Sequence, residues 1–268
     1  MAVDRSGAVA RVTLLGPGKG NAMGPDFWRE LPVVFKALDG DESVRAVVLA
    51  ASGDNFSYGL DLPAMAGQIG PILAEDQGLA RPRTKLLDWI KELQASVTAV
   101  ADCRKPVAAA VQGWCIGGGV DLIAACDVRY AGADAQFSVR EVRVGMVADI
   151  GSLQRLPAII GAGHVRELAL TGKDITAARA AEIGLVNEVL DDGSAALGAA
   201  LDFADAVAAN PPLVVQGIKQ VLDAVDGPTV AEGLRYVATW NAAFLPSMDL
   251  GEAMAAFMQR RPPDFTGR

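Results

Sequence analysis

Gly113-Trp114-Cys115-Ile116-Gly117-Gly118-Gly119-Val120-Asp121-Leu122 opens the stretch whose reading decides the fold. It continues through Cys126-Asp127-Val128-Arg129-Tyr130, Arg140-Glu141-Val142 and Val147-Ala148-Asp149-Ile150-Gly151 to Pro157. Three consecutive glycines after an apolar run let the backbone turn sharply and present its N–H groups at the mouth of a helix, where the helix dipole stabilises negative charge. Asp121 falls on the first turn of that helix. Glu141 and Asp149 fall in loops flanked by small and apolar residues, a setting that raises a carboxyl pKa. Each acid also has a purely structural reading: Asp121 as partner of a helix N-terminus, Glu141 as a loop surface charge, Asp149 as acceptor for the backbone before Ser152.

Working outward, the composition points to a well-cored α/β domain. About half of the 268 residues are apolar and about a fifth are charged, so a sizeable core is expected and disorder is not. A net charge of −8 without a basic stripe argues against nucleic acid as a partner. Cys103, Cys115 and Cys126 are odd in number and lie in apolar surroundings, which reads as buried thiols in a reducing compartment, with metal binding disfavoured. The start of the chain shows no apolar leader and no segment is long enough to span a bilayer, so the expectation is a soluble, cytoplasmic protein without a membrane partner.

Val9-Ala-Arg-Val-Thr-Leu-Leu reads as an edge strand stopped by Gly16-Pro17-Gly18, and Pro25-Asp26 as the start of a helix running to about Leu38. Val44 to Ala51 reads as a buried strand, in parallel pairing through a right-handed crossover. After the turn-rich loop from Ser52 to Leu62, residues 63–83 read as a segment that borders a pocket or lies in solvent. Helical periodicity returns from Thr84 to Cys103, then a buried strand at 107–111, a helix at 117–126, a strand at 127–131 and a short strand at Phe137-Ser138-Val139. Helices follow at 151–160, with Ser152 as cap, and at 163–172 and 176–183, then a return strand from Val186. Beyond Ser194 the pattern is helical, so the chain divides into a βα core over 1–191 and a helical region over 192–268. The stripes of Leu213, Val214, Gly217, Ile218 and Val221, and of Ala253, Met254 and Phe257, read as core packing. His164, the single histidine, lacks a nucleophile elbow and reads as helix surface. Gly16-Pro-Gly-Lys-Gly lacks the ending of a phosphate loop, and no dinucleotide fingerprint opens a helix.

The Cys115–Leu122 helix mouth, the Ala125–Tyr130 strand and the spaced run from Glu141 to Pro157 together resemble the crotonase superfamily of acyl-CoA-processing enzymes. Within it they are most similar to the Δ3,5-Δ2,4-dienoyl-CoA isomerases. The resemblance implies an α/β crotonase fold, repeated ββα units in a spiral core followed by C-terminal helices that cover the site and build trimers paired into hexamers. It implies an acyl-CoA thioester substrate and no cofactor, coenzyme A being part of the substrate. Residue by residue, it implies that the backbone N–H groups of Leu60 and Gly118 form an oxyanion hole, that Glu141 is the base at C2, that Asp149 returns a proton further along the acyl chain, and that Asp121 polarises and orients the site. Pro63 stands where some hydratases carry a lysine, so nucleotide contacts do not transfer, and Arg260 and Arg261 remain unassigned cations of the tail. Two rival readings stand beside the isomerase: a 2-enoyl-CoA hydratase using Glu141 with Asp121, and a non-catalytic acyl-CoA-binding protein that kept the scaffold.

Overall fold

The computed structural model describes residues 1–16, 19–65, 67, 80–224 and 248–267. The segment over 63–83, expected to border a pocket or lie in solvent, and the loop at Gly16–Gly20 therefore lie partly outside the described residues. The side chains of Ala253, Met254 and Phe257 lie outside them altogether.

Nine strands are described: β1 (Ala2–Ser6), β2 (Val9–Leu14), β3 (Ala46–Ala51), β4 (Val107–Val111), β5 (Trp114–Ile116), β6 (Val128–Gly132), β7 (Gln136–Ser138), β8 (Ile175–Thr176) and β9 (Glu188–Leu190). The main sheet has the order β1-β2-β3-β4-β6-β9, parallel throughout except for the β1–β2 hairpin. A second sheet, β5-β7-β8, stands beside it. Its first strand follows β4 after only Gln112 and Gly113, so one chain segment passes directly from the core sheet into the wall of the site.

Strands β3 and β4 are near-continuous apolar runs because both of their faces are covered. Val47, Leu49, Val107, Ala109 and Val111 point into the larger core, packed by α1 (Pro25–Gly40) and α2 (Ala80–Ala101). The alternate residues Ala46, Val48, Ala108 and Ala110 face Ala200 and Ala204 of α6 (Gly193–Ala208). Small side chains on both partners let that helix lie close against the sheet. The remaining described helices are α3 (Gly118–Ala124), α4 (Ser152–Thr171), α5 (Ala177–Glu182), α7 (Pro212–Ala224) and α8 (Met248–Gln259).

Four expectations need correction. Strand β2 is not the edge: β1, carrying Asp4 and Arg5 toward solvent, covers it, as a charged edge strand should. The three-residue strand β5 was read as part of the approach to the glycines. The helices expected at 151–160 and 163–172 form one element, α4, interrupted at Gly161, where φ is 77° and ψ is 150°. Finally, α7 does not bury its apolar stripe. Gly217 and Lys219 are its buried residues, and Lys219 Nζ pairs at 2.8 Å with Asp127 before β6, so Val214 and Ile218 are turned outward, the latter 57% exposed.

Candidate active site

The loop from Ser52 to Leu62 is fixed by buried polar groups contributed from elsewhere in the chain. Asn21 donates through Nδ2 to the Ser52 and Asn55 carbonyls, and Asn55 Oδ1 accepts the Trp114 N–H. The Ser57 hydroxyl donates to the Asn21 carbonyl and accepts the Gly59 N–H. Backbone bonds then zip the loop to β5: Ser57 N–H to the Trp114 carbonyl, Ile116 N–H to the Ser57 carbonyl. In the sequence Asn55 is only one residue of a turn-rich loop, yet it and Asn21 set the register of that loop.

This zipper brings the two expected donors together. A Cβ on Gly59, whose φ is 77°, would stand 2.7 Å from the Ile116 carbonyl oxygen and 3.0 Å from the Gly118 nitrogen, so only glycine allows the approach. A Cβ on Gly118 would in turn lie 3.8 Å from the Leu60 nitrogen. Both neighbours of Leu60 are tied to Met23, through Gly59 O and Asp61 N–H. Among the described residues, neither the Leu60 nor the Gly118 N–H has an acceptor. Two adjacent, unpaired N–H groups, one of them at the start of α3, are thus left as backbone donors with no acceptor among the described residues.

Leu60, Gly118 and Glu141 line one cleft of about 370 Å³, whose walls include Trp114, Arg140 and Met146. Glu141 begins a 3-10 turn, Glu141–Val144, and its Oε1 lies 3.2 Å from where a Gly117 Cβ would be, so the carboxyl rests directly on the glycine turn. Its other oxygen is buried without a hydrogen-bond partner. Burial pushes Glu141 up to about 7, with Asp121 and Asp149 adding repulsion and nearby backbone N–H groups opposing the shift. A carboxyl poised there exchanges a proton readily at neutral pH.

Asp121 and Asp149 do not line that cleft among the described residues, although both are within electrostatic reach of Glu141. Asp121, 1% exposed, raises its carboxyl toward α4 and accepts the Ser152 N–H at 2.5 Å. Ser152 is therefore not the cap expected from sequence: it is the first helical residue, Gly151 precedes it, and the capping oxygen arrives from α3. The Ser152 hydroxyl lies beside the same carboxyl. Burial raises Asp121 to about 6 despite Ser152 and the Arg155 cation, which both lower it. Asp149 is exposed by surface area, yet enough protein surrounds its carboxyl that desolvation moves it above the ordinary value.

Other candidates behave as surface or core. His164 sits on α4 with Glu167 at 3.7 Å. The three cysteines are buried and unpaired with one another, and burial pushes Cys126 up to about 12. Arg261 is paired with Glu252. Among the described residues no cluster of three or more His, Cys, Asp or Glu side chains has the placement to hold a metal ion, and no helix is long and apolar enough to cross a membrane.

Comparison with known proteins places this geometry. The model of the family described as "Enoyl-CoA hydratase/isomerase" matches residues 4–268. The mitochondrial Δ(3,5)-Δ(2,4)-dienoyl-CoA isomerase of Dictyostelium discoideum is 41% identical over 96% of this chain and 87% of its own. The peroxisomal Δ(3,5)-Δ(2,4)-dienoyl-CoA isomerase of Arabidopsis thaliana is 42% identical over 93% and 89%. The crystal structure of enoyl-CoA hydratase from Bacillus anthracis superposes with a TM-score of 0.89 at 26% identity, covering 100% of this chain and 99% of that one. The expected α/β spiral fold is borne out. The cytoplasmic assignment is overturned, because these similar isomerases are proteins of mitochondria and peroxisomes. The reading of a bare N-terminus did not carry that conclusion.

Proposed function

The chain belongs to the enoyl-CoA hydratase/isomerase family, and from that premise we propose that it isomerises 3,5-dienoyl-CoA thioesters to 2,4-dienoyl-CoA thioesters. Glu141 removes a proton from C2, and the electron pair left there delocalises onto the thioester oxygen on one side and through the two double bonds as far as C6 on the other. The Leu60 and Gly118 N–H groups stabilise that charge. Asp149 delivers a proton to C6, leaving double bonds at C2 and C4, and the two carboxyls then re-equilibrate with water. Asp121 acts from behind, holding the N-terminus of α4 and adding to the field that keeps protons on its neighbours. As proposed, the reaction draws on no metal or redox cofactor, and coenzyme A enters as part of the substrate.

The observation that carries this reading is the cluster itself. Three carboxyls whose proton affinities are raised by burial, two of them adding repulsion at Glu141, accompany two unpaired N–H groups in a chain about two-fifths identical to named dienoyl-CoA isomerases. A hydratase needs a base and an acid near C2 and C3 and gives no work to an acid at the position of Asp149.

Absorbance tests the proposal. Conversion of a 3,5-dienoyl-CoA builds conjugation with the thioester and raises near-ultraviolet absorbance, whereas hydration of a 2-enoyl-CoA lowers it. Asp149→Asn is expected to cut isomerisation by about 10²–10⁴ while leaving proton exchange at C2 in place. Flat traces with both substrates, together with CoA-ester binding, would replace the isomerase with the non-catalytic reading.

A homotrimer or a dimer of trimers is proposed as the assembly. Its support in this chain is an apolar groove of about 340 Å³ between the Glu141–Ala148 loop and α4, bordered by Val147 and Leu170, which are 75% and 74% exposed. Light scattering of the purified protein and of Leu170→Glu tests it, the variant being expected to dissociate.

A further inference from the structure

The turn that carries Asp149 is pinned at three of the four residues from Asp149 to Ser152, from three different elements. The Asp149 carbonyl accepts from Gln94 Nε2 of α2 at 2.6 Å. The Ile150 carbonyl accepts from Arg155 Nη1 at 3.5 Å, and the same guanidinium donates through Nη2 to Thr98 Oγ1 of α2 at 3.1 Å. The Ser152 N–H is held by Asp121. Between them, Gly151 has φ of 140° and ψ of −10°, and a Cβ there would fall 1.8 Å from Arg155 Nη1. The Nη1 end of the guanidinium thus fills the space a side chain would occupy. A surface loop needs none of this: Asp149 and Ile150 follow an exposed run from Val142 to Val147 with no comparable tethers.

We propose that Arg155 and Gln94 are positioning residues that clamp the Asp149–Gly151 turn against α2, fixing the Asp149 carboxyl at the distance from Glu141 that protonation at C6 requires. Neither touches the reacting atoms. Arg155 bridges the turn to Thr98 while its charge faces Asp121, and Gln94 holds the carbonyl of the acid itself. Glu141 is attached to the other end of the loop, on the glycine turn, so loosening the clamp moves one acid and leaves the other. The inference rests on the proposed role of Asp149 and separates from it experimentally.

The test compares two reactions of the same full-length protein with a 3,5-dienoyl-CoA in D₂O: isomerisation, read by absorbance, and deuterium entry at C2 of the substrate, read by mass spectrometry. For Arg155→Met and Gln94→Met, kcat for isomerisation is expected to fall about 10²-fold and about 10-fold respectively, with C2 exchange within about threefold of the parent, since small displacements of a reacting group cost that much. Arg155→Lys should recover part of the loss, because it restores one donor to the turn. If Arg155→Met does not fold, Gln94→Met and Thr98→Val on α2 carry the test. Isomerisation unchanged in the clamp variants while Asp149→Asn is inactive would overturn the clamp and leave the isomerase reading intact. Proportional loss of isomerisation and exchange would also overturn it, reducing the contacts to general stability. Full isomerisation by Asp149→Asn would instead remove the role of Asp149 on which the inference rests.

Discussion

The two sides of the cleft are built from different materials. On one side, residues 56–60 are tied to β5, and the unpaired backbone N–H groups of Leu60 and Gly118 take their positions from strand pairing and from the close contact of Gly59 with Ile116. On the other side, Glu141 and Asp149 hang from the segment between Ser138 of β7 and Ser152 of α4, which holds the 3-10 turn Glu141–Val144, while Asp121 stands on α3. There, side-chain burial and a few long-range tethers decide both position and proton affinity. The comparison teaches that holding charge and moving protons make separable demands. The first needs fixed dipoles, which a sheet supplies without further help, and the second needs tunable carboxyls, which a sheet cannot supply.

The largest effect expected from breaking this contrast is at Glu141. Glu141→Gln should lower both isomerisation and C2 exchange by about 10²–10⁴, as loss of a general base does, with little change in binding of the CoA ester. Retained exchange would mean that the base lies elsewhere. Next is the opposite wall: Gly59→Val forces a side chain against the Ile116 carbonyl and should splay the two N–H groups, costing about 10²-fold in kcat. The midpoint of its pH profile should stay where it was, because Glu141 is untouched.

That midpoint is the third measurement. The base must be ionised to accept a proton, and burial has raised Glu141 to about 7, so the rate of C2 exchange should rise with pH through about 7 and then level. A rise centred near the ordinary carboxylate value would show that the glycine wall does not desolvate the acid. Smallest is the effect on stability. Glu141 and Asp121 keep protons in the folded chain, up to about 7 and about 6, that the unfolded chain has already released. Their contribution to stability is therefore complete below the ordinary carboxyl range and is lost as pH rises through those values. Thermal unfolding should show Tm falling by a few degrees, roughly, between pH 4 and pH 8, less steeply in Glu141→Gln.

Sequence legibility followed the same division. The parallel strands β3 and β4 and the helices α1 and α2 are visible as periodic or continuous apolar runs, because each is specified by its own residues. Strand β5 has three residues and exists because Ser57 and Phe137 lie beside it, so nothing local announces it. The three acids and the glycines stood out by type and spacing. The Asn21 and Asn55 tethers did not, since a turn-forming asparagine looks the same whether it faces solvent or holds a distant loop. Arg155 was part of the quoted run without a role, because its meaning depends on Gly151 lying beneath it and Thr98 across from it. The apolar stripe of α7 misled for a related reason: what orients this helix is a buried lysine of its own, paired with Asp127, which apolar periodicity passes over.

The unpaired N–H groups of Leu60 and Gly118 have one more implication, for anyone redesigning this protein. They belong to the main chain, so no exchange of side chains at those two positions short of proline deletes them, and a library that varies only the opposite bank inherits both donors unchanged. A scaffold of this kind tolerates retooling because its most demanding component is not encoded in any functional group that mutation swaps.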